Sequence, residues 1–469
     1  MLSTLERLMR IADAPPLIER FPDAPPAADA GPAIIASPGD GAPIWLDGPG
    51  FRVLARPRHN LASGQEFARF LAADGDALAC FERDDGRIDV PFSLTEAYES
   101  YVSERWSSEH QPRSLNARQL DMYYRVKRLI PRRVQLRLRR QLIKWQGAPS
   151  FPRWPYDNSV DRLVRFYAGC VLRALGVEEA AFPWFWPGGA HAAVILTHDV
   201  EGAAGLGNAL RIAALEEERG FRSSFNIVGS WYPIDWGIVG ELRDRGHEIG
   251  SHAVYHDRSL FSSRIEFQRQ LPLLRDAVTQ LDAVGFRSPA THRVNEWLGE
   301  LPIEYDTTIP MSDPYEPQPG GACTAWPFFL GDVVELPYTL PQDHTIFTLL
   351  GHRTPALWVD QVNRIKQSFG LIQCVTHPDP GYLGERKNEA IYAEFLDTLA
   401  AEEGVWHALP REVARWWRAR SEGRHTPSFD LVEGTVVTGS GRTLVEFIPP
   451  TPAAPLPTRA SASGHRDAA

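Results

Sequence analysis

Cysteine is scarce in this chain and follows no pattern. Cys80, Cys170, Cys323 and Cys374 stand far apart, with no Cys-x-x-Cys pair among them. They offer no zinc ribbon, no redox motif and no disulfide framework. Lysine is nearly absent: Lys127, Lys144, Lys366 and Lys387 are the only lysines among 49 basic residues. Beside abundant alanine and proline, that skew reads as coding bias, so arginine-rich stretches are discounted as ligand sites. Long apolar runs are missing too. No stretch approaches the ~20 apolar residues that span a bilayer. The opening MLSTLERLMRIADAPP breaks its apolar run with charges, unlike the core of a signal peptide. A soluble, cytoplasmic protein is expected. Excess positive charge is also lacking: the net charge of −10 argues against a general nucleic-acid binder.

What is present is ample core material. Hydrophobic residues make up 43% of 469, with 14 Trp and 22 Phe, enough for two folded units with tails. Residues 1–40 combine one short helix with a Pro/Ala/Gly-rich segment and are expected to be poorly ordered. Residues 41–118 read as a small α+β unit. APIWLDGPGFRVLAR gives strand, turn and strand; a helical segment follows around Gln65–Ala73; CFERDDGRIDVPF gives a second hairpin. SLTEAYESYVSERW then starts a helix at Ser93 or Thr95. Residues 119–189 form a basic and Trp/Pro-rich connector. Its stretch 119–145 fits either a helix resting on an anionic membrane surface or, the plainer reading, an amphipathic helix packed on the protein. Trp154, Trp184 and Trp186 could stack on sugars or simply pack. Residues 421–448 suggest a hairpin around GSG, and 449–469 a disordered tail.

Over residues 190–420 the rhythm changes. The strands AAVILTHD, FRSSFNIV, HEIGSHA, FRSPA, EYDTTI, VVELPYTL, LIQCVTH and VWHALP alternate with helices near 205–219, 235–245, 262–283, 355–369, 386–402 and 410–420. Repeated β-α units demand a mainly parallel sheet with helices outside, here a closed or nearly closed barrel. Chemistry in such folds sits at the carboxyl ends of strands, where this chain carries its polar clusters. Strand alternation puts Asp199 and Glu201 on one face, with His198 and Val200 pointing away. His252 and His256, four apart, would share one side of a helical turn, a spacing suited to one divalent metal. A carboxylate, two imidazoles and a spare carboxylate make an open catalytic metal site.

The ordered set THDVE, SHAVYH, FRSP and CVTHP resembles the polysaccharide deacetylases, carbohydrate esterase family four with its NodB-homology domain, over about residues 190–420. The resemblance implies a distorted (β/α) barrel of the polysaccharide deacetylase type, beside the smaller N-terminal α+β region. It implies a divalent metal, zinc first and cobalt, nickel or manganese as alternatives, serving removal of acetyl groups from N-acetylated saccharides. By the same resemblance Asp199 is the catalytic base, Arg287 steadies it, His377 is the general acid, and His252 and His256 are metal ligands. The family commonly has a second aspartate where this chain has Val200, and Glu201 is the natural substitute as third ligand. Pro289, Tyr255 and Trp326 are the substrate-binding candidates, although Trp326 could equally pack. His198 is read as packing, and His292 and His344 receive no role. What orients His377 stays open among Asp306, Asp313, Asp343 and Asp379. Without an export signal, a saccharide intermediate of cell-surface polysaccharide synthesis is the expected substrate. Two alternatives remain: hydrolysis of cyclic amides on the same barrel, and a catalytically idle carbohydrate-binding homologue.

Overall fold

The computed structural model describes residues 4–19, 31–59, 61, 63–108, 151–426, 428–438 and 443–450. The basic stretch 119–145 and the tail beyond 450 lie outside the described residues. Among the described residues, no helix is long and apolar enough to cross a membrane.

The N-terminal unit is a seven-stranded sheet in the order β1-β2-β7-β6-β5-β3-β4. Its strands are β1 (Leu17–Ile18), β2 (Ile34–Ile35), β3 (Ile44–Asp47), β4 (Arg52–Ala55), β5 (Gln65–Ala72), β6 (Ala77–Glu82) and β7 (Ile88–Asp89). Two expectations are corrected here. The described parts of residues 1–40 are built into the fold: helix α1 (Thr4–Met9) buries Leu5, Leu8 and Met9, and β1 and β2 edge the sheet. The segment expected to be helical, Gln65–Ala73, is instead β5, which pairs antiparallel with both β6 and β3. Its burial alternates, with Ala68, Phe70 and Ala72 inside and Arg69 and Leu71 outside, which is strand period rather than helix period. Helix α2 (Leu94–Val102) is capped by Ser93, whose hydroxyl accepts from the Glu96 N–H at 2.9 Å.

The second unit is a curled parallel sheet wrapped by helices. Strands β9 (Ala192–Val200), β10 (Ser224–Ile227), β11 (Glu248–Ser251), β12 (Gly285–Phe286), β13 (Tyr305–Asp306), β15 (Val333–Glu335) and β16 (Leu371–Thr376) run in the order β15-β13-β12-β11-β10-β9-β16. β14 (Phe328–Leu330) adds antiparallel to β15, and β17 (Val405–His407) pairs with the start of β9. The Leu340 N–H donates to the Gln373 carbonyl at 3.1 Å, bringing the chain after β15 against β16 and nearly closing the barrel. Helices α4 (Ala203–Glu217), α5 (Trp236–Asp244), α6 (Arg264–Gln280), α7 (Ala356–Gln367), α8 (Arg386–Ala400) and α9 (Pro410–Glu422) cover the outside, after α3 (Ser159–Leu175) of the connector. All eight strands expected between 190 and 420 are present.

Apolar clusters fix this layering. Val200, Leu206, Phe225, Ile227 and Val239 fill the space between β9–β11 and helices α4 and α5. A larger cluster runs without a break from Phe70 and Phe166 through Trp184, Phe185 and Trp186 to Phe286 and Tyr305, so the two units share one core. Trp184 and Trp186 are fully buried, their indole N–H groups donating to the Ala190 and Phe369 carbonyls, and of Trp154, Trp184 and Trp186 only Trp154 keeps exposure. A sugar platform built from these three does not form. The C-terminal hairpin, β18 (Glu433–Val437) with β19 (Glu446–Ile448), pairs with β8 (Glu179–Pro183) into a separate three-stranded sheet.

Candidate metal centre and active site

Strand β9 delivers two carboxylates to the barrel mouth. Alternation holds: His198 faces the helix layer, where Nδ1 meets Thr376 Oγ1 (2.7 Å) and Nε2 meets Glu216 Oε1 (2.8 Å), while Asp199 and Glu201 face the cleft. Register then places Asn226 of β10 opposite Asp199, and its amide donates to Asp199 Oδ1 at 2.9 Å. Arg287, at the end of β12 and 1% exposed, brings Nε within 3.3 Å of the same oxygen. In the amide orientation that satisfies both its ends, Gln373 accepts from Arg287 Nη2 at 2.7 Å. Burial pushes the Asp199 carboxyl upward, but His252, Arg287 and His377 outweigh it and hold the group below its ordinary range. Asp199 is therefore an anion.

Glu201, His252 and His256 bring one donor atom each to within 4.8 Å of one another. His252 follows β11 directly, and its Nδ1 sits 2.9 Å from the Arg287 carbonyl, which leaves Nε2 free to face an ion. Burial depresses His252 to about 4, so it is a neutral ligand at physiological pH. His256 Nε2 is buried without a hydrogen-bond partner, although it stands 3.0 Å from Glu201 Oε1. Two imidazole nitrogens and a carboxylate converging on one point fit a divalent metal. The two histidines do not share a helical turn as their spacing suggested. They sit on an irregular loop in which Ala253 has a φ of 63°, and the loop, not a helix, makes them converge. Asp379, a candidate orienter of His377, instead accepts from the Glu201 N–H at 2.9 Å.

His377 follows β16, and Asp343 orients it. Asp343 Oδ1 lies 2.7 Å from His377 Nδ1, and Oδ2 accepts from the backbone N–H groups of His377 and Leu383, each at 2.9 Å. The imidazole Nε2 is thereby aimed at the cleft, 3.7 Å from Glu201 Oε1. Burial opposes its charge, yet Asp343, Glu201 and Asp199 together raise it to about 10. These carboxylates favour its protonated form.

The substrate candidates fare differently. Pro289 opens the buried turn after Arg287. Tyr255 lies between the two histidines with its ring against the apolar core. Trp326 is corrected to a core residue: it is 2% exposed, stacks on Phe185 at 4.7 Å and donates to the Ser368 and Phe369 carbonyls. Sequence reading missed Trp231, which is 47% exposed with its ring 6.3 Å from that of His256. It also missed Asn226, whose only signal was one amide inside an apolar strand.

Beneath Arg287, Asp306 and Glu335 stand opposite each other on β13 and β15, both wholly buried. Asp306 Oδ1 accepts from Thr308 Oγ1 (2.7 Å) and Glu335 Oε1 from the Ile309 N–H (2.8 Å). Burial raises both groups, and the Asp306 charge raises Glu335 further. A raised folded-state value stabilises the fold below the ordinary carboxyl range, and that contribution is lost as pH climbs. Glu335→Gln keeps the acceptor for Ile309 without the acidic proton. It should raise the melting temperature relative to wild type at pH 8 more than at pH 5, by roughly 1 kcal/mol or about 1 °C for a chain of this size. Parallel thermal melts at the two pH values check this; an equal shift at both would contradict it.

No family model matches the chain, and no curated protein matches it. Among solved structures, the chain is similar to one described as a polysaccharide deacetylase from Mycobacterium smegmatis, with 21% identity, a TM-score of 0.40, and coverage of 53% of this chain and 96% of that one. Similarity extends to an allantoinase (15% identity, TM-score 0.37, 50% and 92% covered). The peptidoglycan deacetylase PdaC of Bacillus subtilis is likewise similar (15% identity, TM-score 0.32, 49% and 95% covered).

Proposed function

We propose that this chain is a metal-dependent hydrolase that removes the acetyl group from an N-acetylated saccharide. One observation carries the reading. An anionic Asp199, a three-donor metal cradle and a protonated His377 converge at the carboxyl ends of β9, β11 and β16. Glu201, His252 and His256 would hold a divalent ion, zinc or one of similar preference, which would supply Lewis acidity. The chain's own residues move the protons. Asp199 accepts one from the water whose oxygen bonds to the acyl carbon, and Arg287 holds that carboxylate in line. As the carbon–nitrogen bond breaks, His377 Nε2 protonates the departing amine, which is too basic to leave unaided. The half-exposed ring of Trp231 beside His256 offers an apolar face of the kind sugar rings stack on.

Purified with zinc, the protein should hold about one ion per chain and release acetate from an N-acetylated saccharide panel. His252→Ala removes one of the three donors, and metal content should fall together with acetate release. Elemental analysis beside an acetate assay decides. Unchanged metal in the variant would sink the assigned ligand set, and wild-type metal without acetate release from any saccharide would sink the substrate class.

A further inference from the structure

The turn that follows Arg287 is held from outside the barrel. Arg293, 4% exposed, makes a two-pronged ion pair with Glu104 of the N-terminal unit: Nε to Oε2 and Nη2 to Oε1, both at 2.6 Å. The Glu104 carboxylate also accepts from the Gly321 N–H at 2.6 Å and from Asn295 Nδ2 at 3.4 Å. The socket is shaped for it. A Cβ on Gly320 would stand 2.2 Å from Glu104 Oε1 and 2.8 Å from Arg293 Nη2. The remaining Arg293 nitrogen, Nη1, donates to the Thr291 carbonyl of its own loop (2.8 Å) and to the Gln318 carbonyl of a neighbouring segment (3.3 Å).

That loop is strained. Ala290 and Thr291 occupy the left-handed region with φ of 49° and 52°. Two successive non-glycine residues there persist only where surrounding contacts impose the conformation. One such contact is Arg293, which holds the Thr291 carbonyl and whose ion-pair partner is Glu104. Upstream of the turn lies Arg287, whose guanidinium faces Asp199 and whose carbonyl holds His252 Nδ1. Glu104 itself has a φ of 56°, just past the end of α2, so both ends of the contact are bent to make it.

We infer that Glu104 is a positioning residue of the barrel's active site. Through Arg293 it fixes the turn at Ala290–Thr291, and through that turn the Arg287 backbone that orients His252 for metal. The N-terminal unit is then a working part of the site rather than an appendage. The inference uses the metal ligands of the proposed function but needs no knowledge of the substrate.

The test uses the full chain and cobalt(II), followed by its visible absorption. Glu104→Gln preserves size and removes the charge; Glu104→Gln/Arg293→Gln leaves no unpaired charge buried and carries the test if the single substitution does not fold. Both variants should bind cobalt about 10–100-fold more weakly than wild type, the range expected for outer partners of metal ligands. Where acetate release is measurable, kcat should fall with KM little changed. A pair that merely fastens two units would lower the melting temperature in Glu104→Gln, recover it in the double variant, and leave cobalt affinity at the wild-type value. That result overturns the inference. Wild type that binds cobalt but deacetylates nothing overturns the proposed function alone, since the cobalt comparison still stands. Wild type that binds no cobalt overturns both.

Discussion

Asp199→Asn is expected to lower acetate release by about 10²–10⁴-fold while leaving about one metal ion per chain. The substitution is isosteric, and the retained amide oxygen can still accept from Asn226 Nδ2, the 2.9 Å bond that sets the side chain's position. What disappears is the anionic oxygen that takes the proton of water, equivalent to about 3–5 kcal/mol of activation barrier at 1.36 kcal/mol per tenfold. The metal donors Glu201, His252 and His256 are separate side chains and remain. Arg287 loses its ion-pair partner, and an unpaired buried guanidinium would ordinarily destabilise the fold. Here Gln373, Thr197 and the Asp306–Glu335 pair still surround it, so the variant should stay folded. Metal analysis and the acetate assay on one preparation separate the outcomes. Release within fivefold of wild type, with metal bound, would remove Asp199 from the role of base.

Much of this site was legible in the sequence because strand geometry is short-ranged. Asp199 and Glu201 had to share a face once β9 was a strand, and His198 and Val200 had to face the helices, as they do. The β-α rhythm followed from apolar runs broken at regular intervals, and all eight strands stand where that rhythm put them. Failures came where distant residues decide. Gln65–Ala72 is rich in helix formers, yet pairing with β6 and β3 overrides local propensity. His252 and His256 converge through a loop whose path no spacing rule describes. Asp343 could not be chosen over Asp306, Asp313 and Asp379, since its partner is 34 residues away and only the packed barrel brings them together. Trp326, a substrate-binding candidate, is buried, and Trp231, for which nothing was expected, is exposed, for the same reason. Whether an indole is buried depends on what packs over it, and Phe185, far off in the chain, covers Trp326.

The second large effect concerns the leaving group. His377→Ala should depress hydrolysis of an N-acetylated sugar by about 10²–10⁴-fold, yet barely change hydrolysis of 4-nitrophenyl acetate. An amine cannot depart without a proton, whereas 4-nitrophenolate is stable without one, so only the amide needs the acid. Asp343→Asn should fall between, losing about 10–100-fold on the amide. Asp343 has two tasks: its Oδ1 supports the imidazolium through Nδ1, and its Oδ2 receives the backbone N–H groups of His377 and Leu383. Asparagine can do one of these but not both, because only one of its two terminal atoms accepts. The ring therefore keeps its place less firmly and its charge less readily. Measuring both substrates with both variants gives four ratios. If His377→Ala slows the ester as severely as the amide, His377 acts on attack or binding rather than departure, and Asp343 would then be supporting a base or a substrate contact. If the loss is confined to the amide, a proton donated from Nε2 to nitrogen is the step that the β16 end of the barrel exists to supply.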